Sequence, residues 1–397
     1  MAVGNVRRIT DRVYLVGAID WNRRLFDELI PLPEGTSYNS YLIEGSESSA
    51  LVDAVDPTKT EELLVNLRGL GVEKIDYVVS NHAEQDHSGA IPAVLNEYPG
   101  AKVVTNRRCK EQLMELLLIP EERFIVVEDG GELSLGDRTL RFILAPWVHW
   151  PETMLTYLVE DRVLFTCDLF GSHLATSDLF ARDRSGVYRA AKRYYAEIMM
   201  PFRKAIRGHL NKLEDLEIKT IAPSHGPIYD EPGFILDAYR EWVSDEVKAE
   251  VVVAYVSMHG STQAMVDRLI AGLLRDNRTV KPFNLTVTDV GELAMALVDA
   301  AGIVLATPTV LGGAHPSAVY AAYLVNALRP KLRFASLIVS YGWGGRAVEQ
   351  LKGMLTNLRI ELLDPVVVKG YPKEGDLEAV DRLAEEVSSR VGRSEGP

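Results

Sequence analysis

Short apolar runs separated by acidic or glycine-containing turns mark the chain through about residue 247. Segments 41–43, 77–79, 102–104, 123–127, 141–144 and 163–165 read as β-strands, rich in branched or aromatic residues and bounded by turn formers. Helical spacing interrupts them at 58–70, 108–118 and 188–200, and Pro201 stops the last. From Ala249 the texture changes. Residues 250–256 form a nearly continuous apolar run, as a parallel strand covered on both faces requires. A loop and a helix with Met265, Leu269 and Leu273 on one face follow. Further runs at 302–306, 334–339 and 365–368 are separated by helical stretches, and a last charged helix begins near Asp376. The pattern predicts an α/β chain of two domains, 1–248 and 249–397, the second a doubly wound parallel sheet.

A length of 397 residues suits two cores better than one, and 47% hydrophobic with 25% charged residues is an ordinary globular mix. The net charge of -13 argues against a nucleic-acid partner, because phosphate binding needs clustered Lys and Arg. No apolar stretch reaches the roughly 18 residues a membrane span needs, and Met1–Arg8 is not followed by an apolar signal core. A cytoplasmic protein without membrane contact is expected. Cys109 and Cys167 stand far apart, which excludes a disulfide framework, an iron–sulfur cluster or a rubredoxin-type iron site in this sequence.

The loop after 77–79 places His82, Glu84, Asp86 and His87 within six residues. His149, Asp168 and His225 occupy similar settings just after strands. A loop histidine by itself is usually solvated or hydrogen-bonded, and His173, His209 and His315 are read so. Two carboxylates among two imidazoles reverse that reading, since buried charge needs a partner or a cation. Four imidazoles and three carboxylates suit iron or manganese better than a closed structural zinc site. Asp168 is the natural bridge between two cations, and seven ligands leave open positions where a small substrate can bind.

The pattern resembles the metallo-β-lactamase fold, whose motif is His-x-His-x-Asp-His with a later His, Asp and His. Glu84 stands where hydrolases of that fold carry their second His. With the parallel-sheet half, the chain is similar to the flavodiiron family of oxygen and nitric oxide reductases. The resemblance implies an N-terminal metallo-β-lactamase-like αββα sandwich followed by a flavodoxin-like domain. It implies two irons, one held by His82, Glu84 and His149, the other by Asp86, His87 and His225, bridged by Asp168. Some members swing the equivalent of His87 away. It also implies Tyr195 as a hydroxyl donor beside the metals, although Tyr194 and Tyr195 read equally well as core residues of a helix face.

Three loops offer an FMN site. Ser257, Met258, His259, Gly260, Ser261 and Thr262 lead from a strand into a helix, where backbone N–H and hydroxyl groups can hold a phosphate. The Gly-Lys-Ser/Thr ending of a nucleotide P-loop is missing. Thr307, Pro308, Thr309, Val310, Leu311 and Gly312 follow the next strand, and Ser340, Tyr341, Gly342, Trp343 and Gly344 the one after. In a flavodoxin-like order all three open at the switch point of the sheet, with Tyr341 or Trp343 as a flat wall for the ring.

The expected function is reduction of nitric oxide to nitrous oxide, of dioxygen to water, or both, with electrons passing from FMN to two irons. The family implies a head-to-tail homodimer, extendable to a dimer of dimers. It also implies an external electron donor such as rubredoxin, another flavoprotein or a deazaflavin coenzyme. Two rivals stand beside it: a hydrolase fused to a flavodoxin module, and an electron carrier whose metal is structural. The sequence leaves open which gas is preferred.

Overall fold

On the strand Tyr41–Glu44, Leu42 points one way and Tyr41 and Ile43 the other, and all three are buried. Leu42, Leu51, Val78 and Val103 pack with Leu63, Leu67, Ile91, Val94 and Leu113 from the helices Thr60–Gly69, Ile91–Glu97 and Arg107–Leu117. Tyr41, Ile43, Val52, Val79 and Val104 meet Phe142, Met154, Val163 and Phe165 of a second sheet. At about 1.5–3 kcal/mol per large apolar side chain, this double burial holds the layers together. The computed structural model describes residues 6–391. Part of the stretch read for an export signal, residues 1–5, therefore lies outside the described residues.

The first sheet has seven strands, ordered Arg7–Thr10, Val13–Leu15, Tyr41–Glu44, Ser49–Val52, Tyr77–Val79, Lys102–Thr105 and Phe124–Val126. The second has five, ordered Glu132–Ser134, Thr139–Leu144, Met154–Leu158, Val163–Cys167 and Thr220–Pro223. Leu155, Leu164 and Ile221 on its far face are also buried. The architecture is an αββα sandwich. The helix expected at 188–200 begins earlier, at Arg184, because Asp183 caps it by accepting from Gly186 N–H. It ends at Tyr194 and gives way to one wider turn over Tyr195–Met199 before Pro201.

The chain divides at Val243/Ser244 into two units, with residues 196–201 grouped with the second. The second unit is a parallel sheet ordered Thr279–Asn284, Lys248–Tyr255, Ala300–Val310, Phe334–Tyr341, with Glu361–Leu362 and Val366–Lys369 both pairing with Phe334–Tyr341. This 2-1-3-4-5 order is flavodoxin-like, and its switch point lies between Lys248–Tyr255 and Ala300–Val310. One face is covered by the helices Ser261–Arg275 and Glu374–Val391 through Met265, Leu269, Leu273, Val380, Leu383 and Val387. The strand Thr279–Asn284 has no counterpart in the sequence reading. It is a half-buried edge strand containing Pro282, so it lacks the apolar run of a central strand. No helix among the described residues is long and apolar enough to cross a membrane.

Candidate dimetal and flavin sites

The loop after Tyr77–Val79 is fixed before its ligand-type residues begin. Buried Asp53 accepts from Asn81 N–H at 2.8 Å and from the Asn81 amide at 2.9 Å, while Thr156 donates to Asn81 Oδ1 at 2.7 Å. The short helix Gln85–Ser88 then turns Asp86 and His87 inward, both buried. Asp168 directly follows Val163–Cys167, His225 follows Thr220–Pro223, and His149 lies in the loop between Thr139–Leu144 and Met154–Leu158.

All seven sequence-predicted residues converge. Glu84 Oε2 lies 3.2 Å from His82 Nε2 and 3.1 Å from His149 Nε2. Asp86 Oδ2 lies 3.1 Å from His225 Nε2, and Asp86 Oδ1 3.3 Å from His87 Nε2. Asp168 stands between the two groups. Its Oδ2 is 3.4 Å from His82 and 3.5 Å from His149, and its Oδ1 is 3.0 Å from His87 and 3.5 Å from His225. His87 is thus turned into the cluster.

Burial opposes charge on His149 and His225, but the facing carboxylates outweigh it and raise them to about 9 and about 10. His82 and His87 rise for the same reason. Burial likewise pushes Glu84 and Asp168 upward, and the surrounding imidazoles overcome it to bring both down. Cys167 is within reach of His87 and Asp168, yet burial pushes its thiol well up and keeps it neutral.

This donor set fits a pair of cations. Asp86 Oδ1 and Oδ2, His87 Nε2, Asp168 Oδ2 and His225 Nε2 are buried and make no hydrogen bond. Each such atom costs about 1–3 kcal/mol unless something else satisfies it. Metal–ligand bonds of about 2.1 Å put neighbouring donors about 3 Å apart, close to the spacings found here. His225 Nδ1 donates to Ser37 O at 2.6 Å, which leaves Nε2 as the lone-pair nitrogen facing Asp86.

Tyr195 is not brought to the cluster. Its buried hydroxyl donates to Trp242 O at 3.1 Å, whereas Tyr194 donates to Asp168 Oδ1 at 2.6 Å. One residue along a helix is a rotation of about 100°, enough to exchange the two roles. His173, His209 and His315 have other partners: Thr36 Oγ1, Pro146 O and Ser317 N–H.

In the second unit a cleft of about 200 Å³ opens at the switch point, lined by Met258, His259, Ser261, Thr262, Pro308, Thr309, Ser340, Tyr341 and Gly342. Every predicted loop contributes. Gly370, just after Val366–Lys369, also lines it and was not foreseen. Gly260 has φ +88°, a conformation that lets the chain turn into the helix Ser261–Arg275. Thr262 Oγ1 and Ser340 Oγ are 2.9 Å apart, joining two of the loops. Ser257 Oγ accepts from Gln263 N–H, and Thr307 Oγ1 accepts from His315 N–H. Those hydroxyls, with Gly260, Val310, Leu311, Gly312, Trp343 and Gly344, do not line the cleft. Leu311 and Trp343 are instead 97% and 83% exposed, which makes them surface groups beside it.

Residues 36–226 match the family model described as ODP family beta lactamase. The chain is 37% identical to a nitric oxide reductase of Moorella thermoacetica, over 96% of this chain and 98% of that one. Its fold matches rubredoxin oxygen:oxidoreductase of Desulfovibrio gigas with a TM-score of 0.93 at 29% identity, covering 98% of each chain. It also matches the flavodiiron protein of Giardia intestinalis with a TM-score of 0.89 at 30% identity, again over 98% of each. An αββα sandwich whose clustered histidines and carboxylates could hold metal, joined to a flavodoxin-like sheet and alike in order and extent to these proteins, makes this chain a member of the flavodiiron family of oxidoreductases.

Proposed function

We propose that this chain is an FMN- and diiron-dependent reductase of nitric oxide, dioxygen or both, supplied with electrons by an external donor. Its metal chemistry is assigned to residues 1–248 and its flavin chemistry to 249–397. The observation that carries the reading is the buried cluster of four imidazoles and three carboxylates in which Glu84 occupies an imidazole's usual place. A third carboxylate adds negative charge and a hard oxygen donor, which favours iron over zinc and its ferric state over the ferrous.

When bound, the irons supply open positions and electrons for the gas, and FMN supplies electrons to the irons. His82, Glu84 and His149 would hold one iron, Asp86, His87 and His225 the other, with one Asp168 oxygen toward each. Tyr194 holds the Asp168 carboxylate in orientation and keeps a hydroxyl proton at Oδ1. The N-terminus of the helix Ser261–Arg275, with Ser261 and Thr262, would receive the FMN phosphate. Tyr341 offers a flat wall within the cleft.

The reading extends to a head-to-tail homodimer in which the flavin of one chain faces the irons of the other. Exposed Leu311, Trp343 and Met258 beside the flavin cleft support this, because apolar groups in such numbers favour cover. The donor is proposed to be a separate protein such as rubredoxin, which the name of the Desulfovibrio relative contains. A cytoplasmic setting is proposed with it. Mixing reduced protein with dioxygen or nitric oxide in a stopped-flow cell tests the function. Multi-electron gas consumption far faster than free flavin reoxidation supports it, and the free-flavin rate with both gases would overturn it.

A further inference from the structure

Glu152 lies three residues past His149 and is 2% exposed. Its Oε1 is 2.6 Å from His82 Nδ1 and accepts from Ala83 N–H at 3.1 Å. With its amide turned to donate, Gln112 meets the two carboxylate oxygens at 3.3 and 3.2 Å. Asn106 holds the Glu152 backbone by donating to its carbonyl at 2.5 Å. Among the described residues no lysine or arginine pairs with this carboxylate. It is a carboxyl group placed to back a single imidazole.

The other histidines are supported differently. His225 Nδ1 faces the neutral carbonyl of Ser37, and His87 Nδ1 is buried without a hydrogen-bond partner. A carboxylate on Nδ1–H makes the opposite nitrogen a stronger donor and fixes the ring, more so than a carbonyl does. The group containing His82 and Glu84 therefore has a carboxylate of its own on each side of His82, whereas in the group of Asp86, His87 and His225, apart from the shared Asp168, Asp86 is the carboxylate that meets the imidazoles.

On the reading that the cluster holds two irons, we propose that Glu152 is a positioning residue that makes the two metal positions unequal. The His82–Glu84–His149 position holds its ion more tightly and favours the ferric state, and the Asp86–His87–His225 position empties first. Glu152 acts through His82 and does not touch the metal.

The test is timed removal of iron from the reconstituted full-length protein by a ferrous chelator, with a redox titration followed by electron paramagnetic resonance. Wild type should lose its irons in two phases, one iron per chain in each. Glu152→Gln should speed the slow phase about 10- to 100-fold and leave the fast phase unchanged. The midpoint potential of the retained iron should rise, by about 59 mV for each tenfold loss of preference for the ferric ion. Asp86→Asn should remove the fast phase alone, which decides the assignment even if Glu152→Gln does not fold. Equal release of both irons in wild type overturns the inference, as does a Glu152→Gln protein with unchanged phases and potential. Either result leaves the diiron reading standing, whereas a wild-type chain that takes up no iron pair would overturn both.

Discussion

The Tyr194 hydroxyl donates at 2.6 Å to Asp168 Oδ1, the same oxygen that faces His87 at 3.0 Å and His225 at 3.5 Å. A buried hydrogen bond to a charged acceptor contributes about 1.5–3 kcal/mol. Tyr194→Phe should therefore lower stability by about that amount in denaturant titration. It should also perturb the spectrum of bound iron while leaving two irons per chain. Tyr195→Phe, whose hydroxyl donates to Trp242 O, should leave the spectrum alone.

Much of the dimetal cluster was legible because four donor residues crowd one loop after a strand and three more follow strands. Glu152 escaped notice because a lone glutamate in a loop carries no pattern; only burial against His82 reveals it. The choice between Tyr194 and Tyr195 needed the rotation of a helix whose start is set by the Asp183 cap, outside the apolar periodicity. The strand Met154–Leu158 was missed although all five of its residues are buried, and Thr279–Asn284 because its edge position asks for little apolar surface. Gly370 is brought to the cleft by a strand pairing, Val366–Lys369 with Phe334–Tyr341, that local sequence does not encode.

Thr262 is buried and its hydroxyl bridges to Ser340 across the cleft proposed for the flavin. Thr262→Val keeps the shape and removes the hydrogen bond. FMN affinity should fall about tenfold, the equivalent of roughly 1.4 kcal/mol, with melting of the flavin-free protein little changed. Fluorescence titration with FMN checks this; unaltered affinity would remove Thr262 from the proposed site.

The proposed head-to-tail arrangement makes a complementation prediction. A chain crippled at the metals, His82→Ala, and one crippled at the flavin, Thr262→Val with Ser261→Ala, should each be weak alone. After mixing and subunit exchange, half of the dimers are heterodimers with one working pair, so activity should recover to about a quarter of wild type. No recovery after verified exchange would show that electrons pass within one chain.

His209 Nε2 donates to Pro146 O at 2.9 Å, in the loop that carries His149, and burial holds its pKa below the ordinary histidine value. A depressed histidine is neutral in the fold while the unfolded chain takes a proton first. Stability should therefore fall as pH drops below about 6.5 and toward the folded value. His209→Gln can keep the hydrogen bond without titrating, and should flatten the dependence of melting temperature on pH between about 7 and 5. A slope equal to wild type would assign the acid sensitivity elsewhere.

On this reading a carboxylate-rich pair of positions takes iron and works with flavin. Counting metal and flavin in protein isolated without oxygen, then offered iron and FMN, addresses it most directly. Two irons and one FMN per chain are expected, with Glu84→His exchanging the iron of the His82–His149 position for zinc. Zinc in the wild-type chain with iron scarce, or a chain that stays colourless with FMN, would contradict it.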